Sequence, residues 1–445
     1  MLLLLPFVYF MLCAGVIYYA KTVRIIELKP LVSVGLFSLK VVVGFVFYYI
    51  YSYHYTLRNT SDALKYFDDA LVLHQTLGIN FTHYVQMLTG WNDNAPELST
   101  YYTQMYNWVK PWNYGLYNDN RVIIRANALC MLLSNGNYYV HIIIFNFISY
   151  TGLVYLYNFL KNWLSKNLNP LLIIIAVFLT PSMLFWSSGV LKEPLLLLCM
   201  GLLLYNFYSL ISATQYGVGS LFNLIIVLLC IYALIYIKVY ILPCLVVLML
   251  LISIEKYLVK YSLKLIFPVL VISMLLIITI LHNALPSYNL LEILRQKQFD
   301  FNNMALSYKA GSYIALPTFN GSVIGLLTMA PHAIYNTLFM PTLFHCNSAI
   351  MIINLIENWV LIAVAIYMVY YFNRPSKRLR YRLFASLMFV LTLATIIGIS
   401  TPVIGAIVRY KIPLLPFVVV ILFSCISKYA PFITIINSWE IKLRS

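Results

Sequence analysis

Charge is what this chain has least of: Asp, Glu, Lys and Arg make up only 9% of its 445 residues, against about 25% in an ordinary soluble domain. With 62% hydrophobic residues and a mean hydropathy of +0.86, that scarcity excludes a soluble enzyme, a secreted disulfide scaffold and a disordered tail. The seven cysteines lie mainly in apolar segments and form no Cys-x-x-Cys pair, so a zinc or disulfide framework is excluded as well. No Walker motif, Gly-x-Gly-x-x-Gly, His-Glu-x-x-His or Gly-x-Ser-x-Gly elbow occurs. Nucleotide-driven pumping and cytoplasmic nucleotide-sugar chemistry therefore have no visible machinery. Internal repeats and low-complexity linkers are missing too, and a separate soluble domain is not expected.

What the chain does have is long apolar runs, the pattern of transmembrane helices. The expected fold is an all-α polytopic transmembrane helix bundle, a single integral membrane domain over 1–445. Eleven spans are expected, at about 3–20, 36–54, 138–160, 170–187, 191–211, 221–237, 240–255, 264–283, 351–372, 384–400 and 412–427. Met1–Ala20 lacks a charged leading region and a small-residue cleavage site, so it reads as the first span rather than a signal peptide. Segment 321–346 has room for a hairpin or re-entrant element.

Net charge is +16, and its placement explains it better than nucleic-acid binding does. With the N-terminus outside, the cytoplasmic segments are 21–40, 161–169, 212–220, 256–263, 373–383 and 428–445 with their edges. They hold 17 of the 29 Lys and Arg but three of the 13 acids, the asymmetry the positive-inside rule requires. The expected location is a cytoplasmic membrane, with the C-terminus cytoplasmic and no nucleic-acid partner.

Two outer segments, 55–137 and 284–350, are too long to be simple connections and are expected to contain short amphipathic helices. Long loops in a compact architecture usually carry function. In the first, Ser61 to Leu77 reads as a helix capped by Ser61 with an apolar stripe of Leu64, Phe67 and Leu71. Asp62, Lys65 and Asp69 share another face, and Asp68 borders the stripe, where partial desolvation would raise a carboxyl towards a useful base. The alternative is a solvated charged face lying along the membrane. Trp91, Tyr101, Tyr102, Tyr106, Trp108, Trp112, Tyr114 and Tyr117 suit either the apolar faces of sugar rings or an interfacial aromatic belt. Arg121 and Arg125, one helical turn apart, either hold a phosphate or anchor the next helix.

The stretch Thr180-Pro-Ser-Met-Leu-Phe-Trp-Ser-Ser-Gly-Val-Leu-Lys-Glu-Pro194 joins two apolar spans through a turn too short to need charge. Lys192 and Glu193 nevertheless stand where the next span begins, either as a local ion pair or as functional groups. Lys238 and Arg409 also occupy outer ends of spans. Converging cations there would bind a phosphate or pyrophosphate headgroup; each alone is explained by snorkelling. His332, His345 and Glu357 are further candidates without metal-ligand spacing. Asn59, Asn80 and Asn320 stand in glycosylation-acceptor patterns, relevant only in a eukaryotic host.

Three features, the acidic amphipathic loop, Pro-Ser-x-x-x-Trp-Ser-Ser-Gly-x-x-Lys-Glu (181–193) and Arg-Tyr-Lys-Ile-Pro-Leu-Leu-Pro (409–416), resemble the GT-C superfamily of polyprenyl-phosphate-sugar glycosyltransferases and the related O-antigen polymerases. The resemblance implies a polyprenyl-linked sugar donor, a glycan or lipid-linked acceptor and an outward active site. It puts a catalytic carboxylate among Asp62, Asp68 and Asp69, with Lys192 and Arg409 facing the donor phosphate. In the GT-C pattern the acidic loop follows the first span, whereas here it follows the second. Read together with the residues above, the expected catalytic acids are Asp62, Asp68, Asp69 and Glu193. The expected donor-phosphate cations are Lys192, Lys238, Arg409, Arg121 and Arg125. A divalent cation at the acids stays open; no other cofactor is expected. Two alternatives stand beside this reading. One is a repeat-unit polymerase leaning on Arg121, Arg125, Arg295 and Lys297; the other is a lipid-linked oligosaccharide flippase or transporter.

Overall fold

The computed structural model describes residues 4–54, 58, 61–109, 117–164, 168–215, 217–284, 289–346 and 348–444. Among them the regular structure is helical, with two isolated β-bridges. In chain order the main helices are α1 (Leu4–Tyr19), α2 (Pro30–His54), α3 (Asp62–Ile79), α4 (Phe81–Thr89), α5 (Asn120–Ser134), α6 (Tyr138–Leu164), α7 (Lys192–Ser212) and α8 (Val218–Lys238). They continue as α9 (Ile241–Ser253), α10 (Leu263–Ala284), α11 (Leu290–Ser307), α12 (Val323–Phe339), α13 (Ala349–Tyr370), α14 (Lys377–Ser400), α15 (Ile404–Tyr410), α16 (Leu415–Ser424) and α17 (Pro431–Arg444).

Among the described residues, six helices are long and apolar enough to cross a membrane: α2, α6, α7, α8, α13 and α14. A seventh results if α15 and α16, which meet at 64°, form one bent span. Of the other expected spans, 264–283 is matched by the 22-residue α10, while α1 and α9 are shorter helices of 16 and 13 residues. At about 1.5 Å per residue, a helix the length of α9 reaches about 20 Å across a hydrocarbon core of about 30 Å. The run expected at 170–187 is not one helix. Pro170–Ile174 is followed by a π-helical turn, Ile175–Leu179, and then Pro181–Trp186. Pro181 pushes Thr180 out of the helical region, to φ −61° and ψ 124°. The Thr180 hydroxyl donates to the carbonyls of Ile175 and Ala176 in the turn before the break.

The chain forms two compact units, one of Met1–Phe159, Leu184–Val239 and Ile441–Ser445, the other of Leu160–Met183 and Tyr240–Glu440. In the first, α3 packs on α5, and α7 on α8. Asn80 ends α3 and starts α4: its own N–H donates to the Thr76 carbonyl, while its side chain accepts from the N–H groups of Thr82 and His83. Ser61 takes the N-cap position of α3 with an extended backbone, but its buried hydroxyl makes no capping bond, contrary to expectation. Lys40, counted with the cytoplasmic residues, is wholly buried in the third turn of α2. It donates to the Ser187 hydroxyl (2.5 Å) and carbonyl (3.2 Å) and to the Ser188 hydroxyl (3.4 Å). The turn before α7 thus packs against the middle of α2 rather than beyond its end.

In the second unit α14 is the central helix, packed by α9, α11, α12 and α16. It begins at Lys377, a full two turns before the expected 384, because Ser376 caps it by accepting from the Leu379 N–H. The apolar α12, inside the segment read as a second outer loop, lies directly on α14: a Cβ at Gly398 would stand 2.0 Å from the Ala333 carbonyl oxygen.

Close backbone approach also fixes the first unit. A Cβ at Gly201 of α7 would fall 2.1 Å from the Gly152 carbonyl oxygen of α6, the small-residue contact by which membrane helices approach. Gly201→Leu should therefore lower stability by about 1–3 kcal/mol or more, read as a fall in melting temperature in detergent. Gly35→Ala, where nothing lies within 4 Å, should not lower it.

Candidate functional site

The first turn of α7 carries Lys192, Glu193 and Pro194, all buried. Proline is tolerated there because the first N–H groups of a helix have no partner within it. Lys192 and Glu193 each look to a different helix. The Lys192 ammonium lies 2.7 Å from an Asp119 carboxylate oxygen and donates to Asn120 Oδ1 at 2.9 Å. That oxygen also accepts from the Tyr66 hydroxyl of α3, at 3.0 Å. Glu193 accepts from Lys238, at the end of α8, at 2.9 Å, with the two side chains 0% and 2% exposed.

Next to Asn120 on α5, Arg121 and Arg125 reach one oxygen of Asp93, at 3.1 and 2.7 Å. Arg125 also donates to the Met87 carbonyl and the Tyr117 hydroxyl. Gly90, in the left-handed region at φ +82°, leaves room for it: a Cβ there would stand 3.0 Å from the guanidinium. Both arginines lie over the Trp108 ring, 4.9 and 5.3 Å from its centre, and Tyr102 stacks on the same ring at 5.0 Å.

Four of the expected cations, Arg121, Arg125, Lys192 and Lys238, thus join Asp93, Asp119 and Glu193 in one chain of neighbouring or bonded residues across α5, α7 and α8. Arg409 belongs to the second unit, on α15, where it is buried.

The first-loop acids divide by helix face. Asp69, not Asp68, is the desolvated one: it shares the buried side of α3 with Tyr66, Ala70 and Leu73. Its two oxygens accept from the backbone N–H groups of Tyr106 (2.7 Å) and Asn107 (2.8 Å), pinning the loop before α5. Asp68 is gripped by both Nε and Nη2 of Arg58, and Asp62 lies 3.6 Å from Lys65. Trp108 is a buried loop core, while Trp91 and Tyr106 are exposed. Trp112, Tyr114 and Asn59 lie outside the described residues.

In the second unit Glu357 is buried in α13, where one carboxylate oxygen accepts from the Ser182 N–H at 2.5 Å. Among the described residues its other oxygen, also buried, has no hydrogen-bond partner. Ser182 also donates to Asn354, and Lys411 to Asn358 at 2.9 Å. Among the described residues His332 and His345 bond to near neighbours, Asn336 and Thr342. Arg295 pairs with Glu292 one turn away, and Lys297 lies over the Tyr240 ring. No group of three or more His, Cys, Asp or Glu side chains is gathered for a metal ion among the described residues.

Asp93, Asp119, Lys40 and Lys411 escape the sequence reading. Lys40 carries a signal, a lone charge inside an apolar run, whereas Lys411 stands two residues from Arg409 in the 409–416 motif. Asp93 and Asp119 carry none, since only the fold brings them to their partners. Against known proteins, no family model, no curated protein and no solved structure matches the chain.

Burial pushes the Asp69 carboxyl from 3.8 up to about 6 against its two backbone donors, which favour the charged form. With the folded value above the unfolded one, the linked stability is complete below 3.8 and is lost as pH rises through about 6. Melting temperature in detergent should fall over that window in the native protein, and this component of the fall should vanish in Asp69→Asn.

Proposed function

We propose that the protein is an integral-membrane glycosyltransferase that uses a polyprenyl-linked sugar donor on the extracytoplasmic face of a bacterial cytoplasmic membrane for cell-envelope glycan assembly. One observation carries this reading: the charged chain across α5, α7 and α8. Its four cations meet three carboxylates, because two guanidinium groups share Asp93. Guanidinium and ammonium groups converging in this way are the donors that suit an anion such as a lipid-linked phosphate. The eleven-span layout with the N-terminus outside puts this chain at the outer face.

The reaction is a substitution at the anomeric carbon. The acceptor oxygen bonds to that carbon, the bond to the donor phosphate breaks, and the anomeric centre inverts. A carboxylate takes the acceptor's proton, and the cations take the charge left on the lipid phosphate. Asp69, with both oxygens engaged by backbone, serves the fold rather than the reaction. Asp119, 27% exposed beside Lys192, is the carboxylate best placed to act as base. Asp62 and Asp68, both half-buried, are the alternatives. Glu193 holds Lys238 and positions Lys192 through the backbone.

A second reading, a lipid-linked oligosaccharide flippase or transporter, draws support from the second unit. Broken helices beside a buried ionisable residue are a recurrent feature of transport sites. Here the break at Thr180–Pro181 places the Ser182 N–H on Glu357, and α15 and α16 meet at 64°.

Mass spectrometry of lipid-linked glycans separates the readings. Cells without the gene should accumulate glycans one sugar short, and Asp119→Asn should reproduce that defect with transfer reduced about 100-fold or more. Accumulated single repeat units would assign the protein to the polymerases, with Arg121 and Arg125 as the residues to vary. An unchanged profile would count against both and favour transport.

A further inference from the structure

A basic pocket and an apolar groove meet in the second unit, apart from every residue used above for the reaction. α9 ends at Ser253, and after the short helix Glu255–Leu258 the chain turns back into α10 at Leu263. Along α9 and α10 runs a groove of about 460 Å³, walled by side chains such as Leu250, Ile254, Leu258, Leu265 and Val269. A second pocket of about 460 Å³ is lined by Lys260, Lys264, Arg374, Lys377 and Arg380, and by no acid. Tyr261 lines both, so the two adjoin across one side chain.

The nearby acid does not neutralise this pocket. Glu255 is engaged by Arg378 at 2.6 Å and Arg382 at 2.8 Å, neither of which lines it. The pocket is built rather than incidental: the Lys377 ammonium donates to the Lys260 carbonyl at 2.8 Å, tying the 260–264 turn to the first turn of α14. The Arg380 Nε is buried and, among the described residues, has no hydrogen-bond partner. A buried guanidinium donor left open among four other cations lacks an acceptor, and an anion supplies one.

We propose that the groove and pocket together bind a lipid whose phosphate headgroup carries a net negative charge, the phosphate among the five cations and the chain along α9 and α10. A free phosphate would use the pocket and leave the groove idle; a neutral lipid would use the groove and leave the cations unbalanced. The charge asymmetry of the sequence places 256–263 and 373–383 on the cytoplasmic side, where anionic headgroups meet basic pockets between helices. The site is independent of the proposed reaction, which it neither requires nor uses.

The test uses the full-length protein in detergent with fluorescent phosphatidylglycerol and phosphatidylcholine of identical chains, and inorganic phosphate as competitor. Native protein should retain phosphatidylglycerol about tenfold or more over phosphatidylcholine. Lys264→Gln and Lys377→Gln, both at exposed positions, should each reduce that preference about fivefold. Val269→Trp, which fills the groove, should weaken retention of both lipids. Equal retention of the two lipids by the native protein would overturn the proposal, and this arm needs no variant to fold. Displacement of phosphatidylglycerol by low-millimolar phosphate, with Val269→Trp binding as well as native, would assign the pocket to free phosphate and overturn the lipid.

Discussion

Glu193 and Lys238, 2.9 Å apart and all but inaccessible to solvent, set the terms for the first unit. A single charge in so dry a place carries a desolvation cost of several kcal/mol, and only a close counter-charge offsets it. The pair therefore joins the start of α7 to the end of α8. With Glu193 turned to α8, its neighbour Lys192 is turned to α5, where Asp119 and Asn120 receive it. The arginines that follow on α5 find Asp93 and close over Trp108. Each step is the same requirement met again: an ionisable group out of water must have a partner within hydrogen-bond reach.

The second unit obeys the same constraint with different solutions. Glu255, at the edge of α9, is shared by two arginines of α14. Glu357 instead takes a backbone N–H exposed by a broken helix, and the break exists because Pro181 cannot continue the preceding turn. This interruption is tied to polar chemistry: beside it the Thr180 hydroxyl donates to the carbonyls of Ile175 and Ala176.

Helical class was legible because apolar runs near 20 residues leave the backbone no alternative in lipid. Lys192, Glu193, Lys238 and Arg409 were legible as exceptions to that apolar pattern. Their pairing was not. Adjacent residues such as Lys192 and Glu193 suggest a local ion pair, but at the start of a helix successive side chains point about 100° apart, so each met a different neighbour. Asp68 and Asp69 show the same limit. One position along α3 separates a carboxylate held at the surface by Arg58 from one buried against the loop backbone. A stripe of three apolar residues does not define the helix face finely enough to tell them apart. Span boundaries failed where proline or a cap intervened, as at Pro181 and Ser376.

The most direct test of this account is a double-mutant cycle on Glu193 and Lys238, read by unfolding of the purified protein in detergent. Glu193→Leu or Lys238→Met alone strands a buried charge and should cost about 3–5 kcal/mol. The double variant, with no charge left to strand, should recover most of that loss. Losses that simply add would show that the two residues do not depend on each other, and would contradict the pairing on which the site rests.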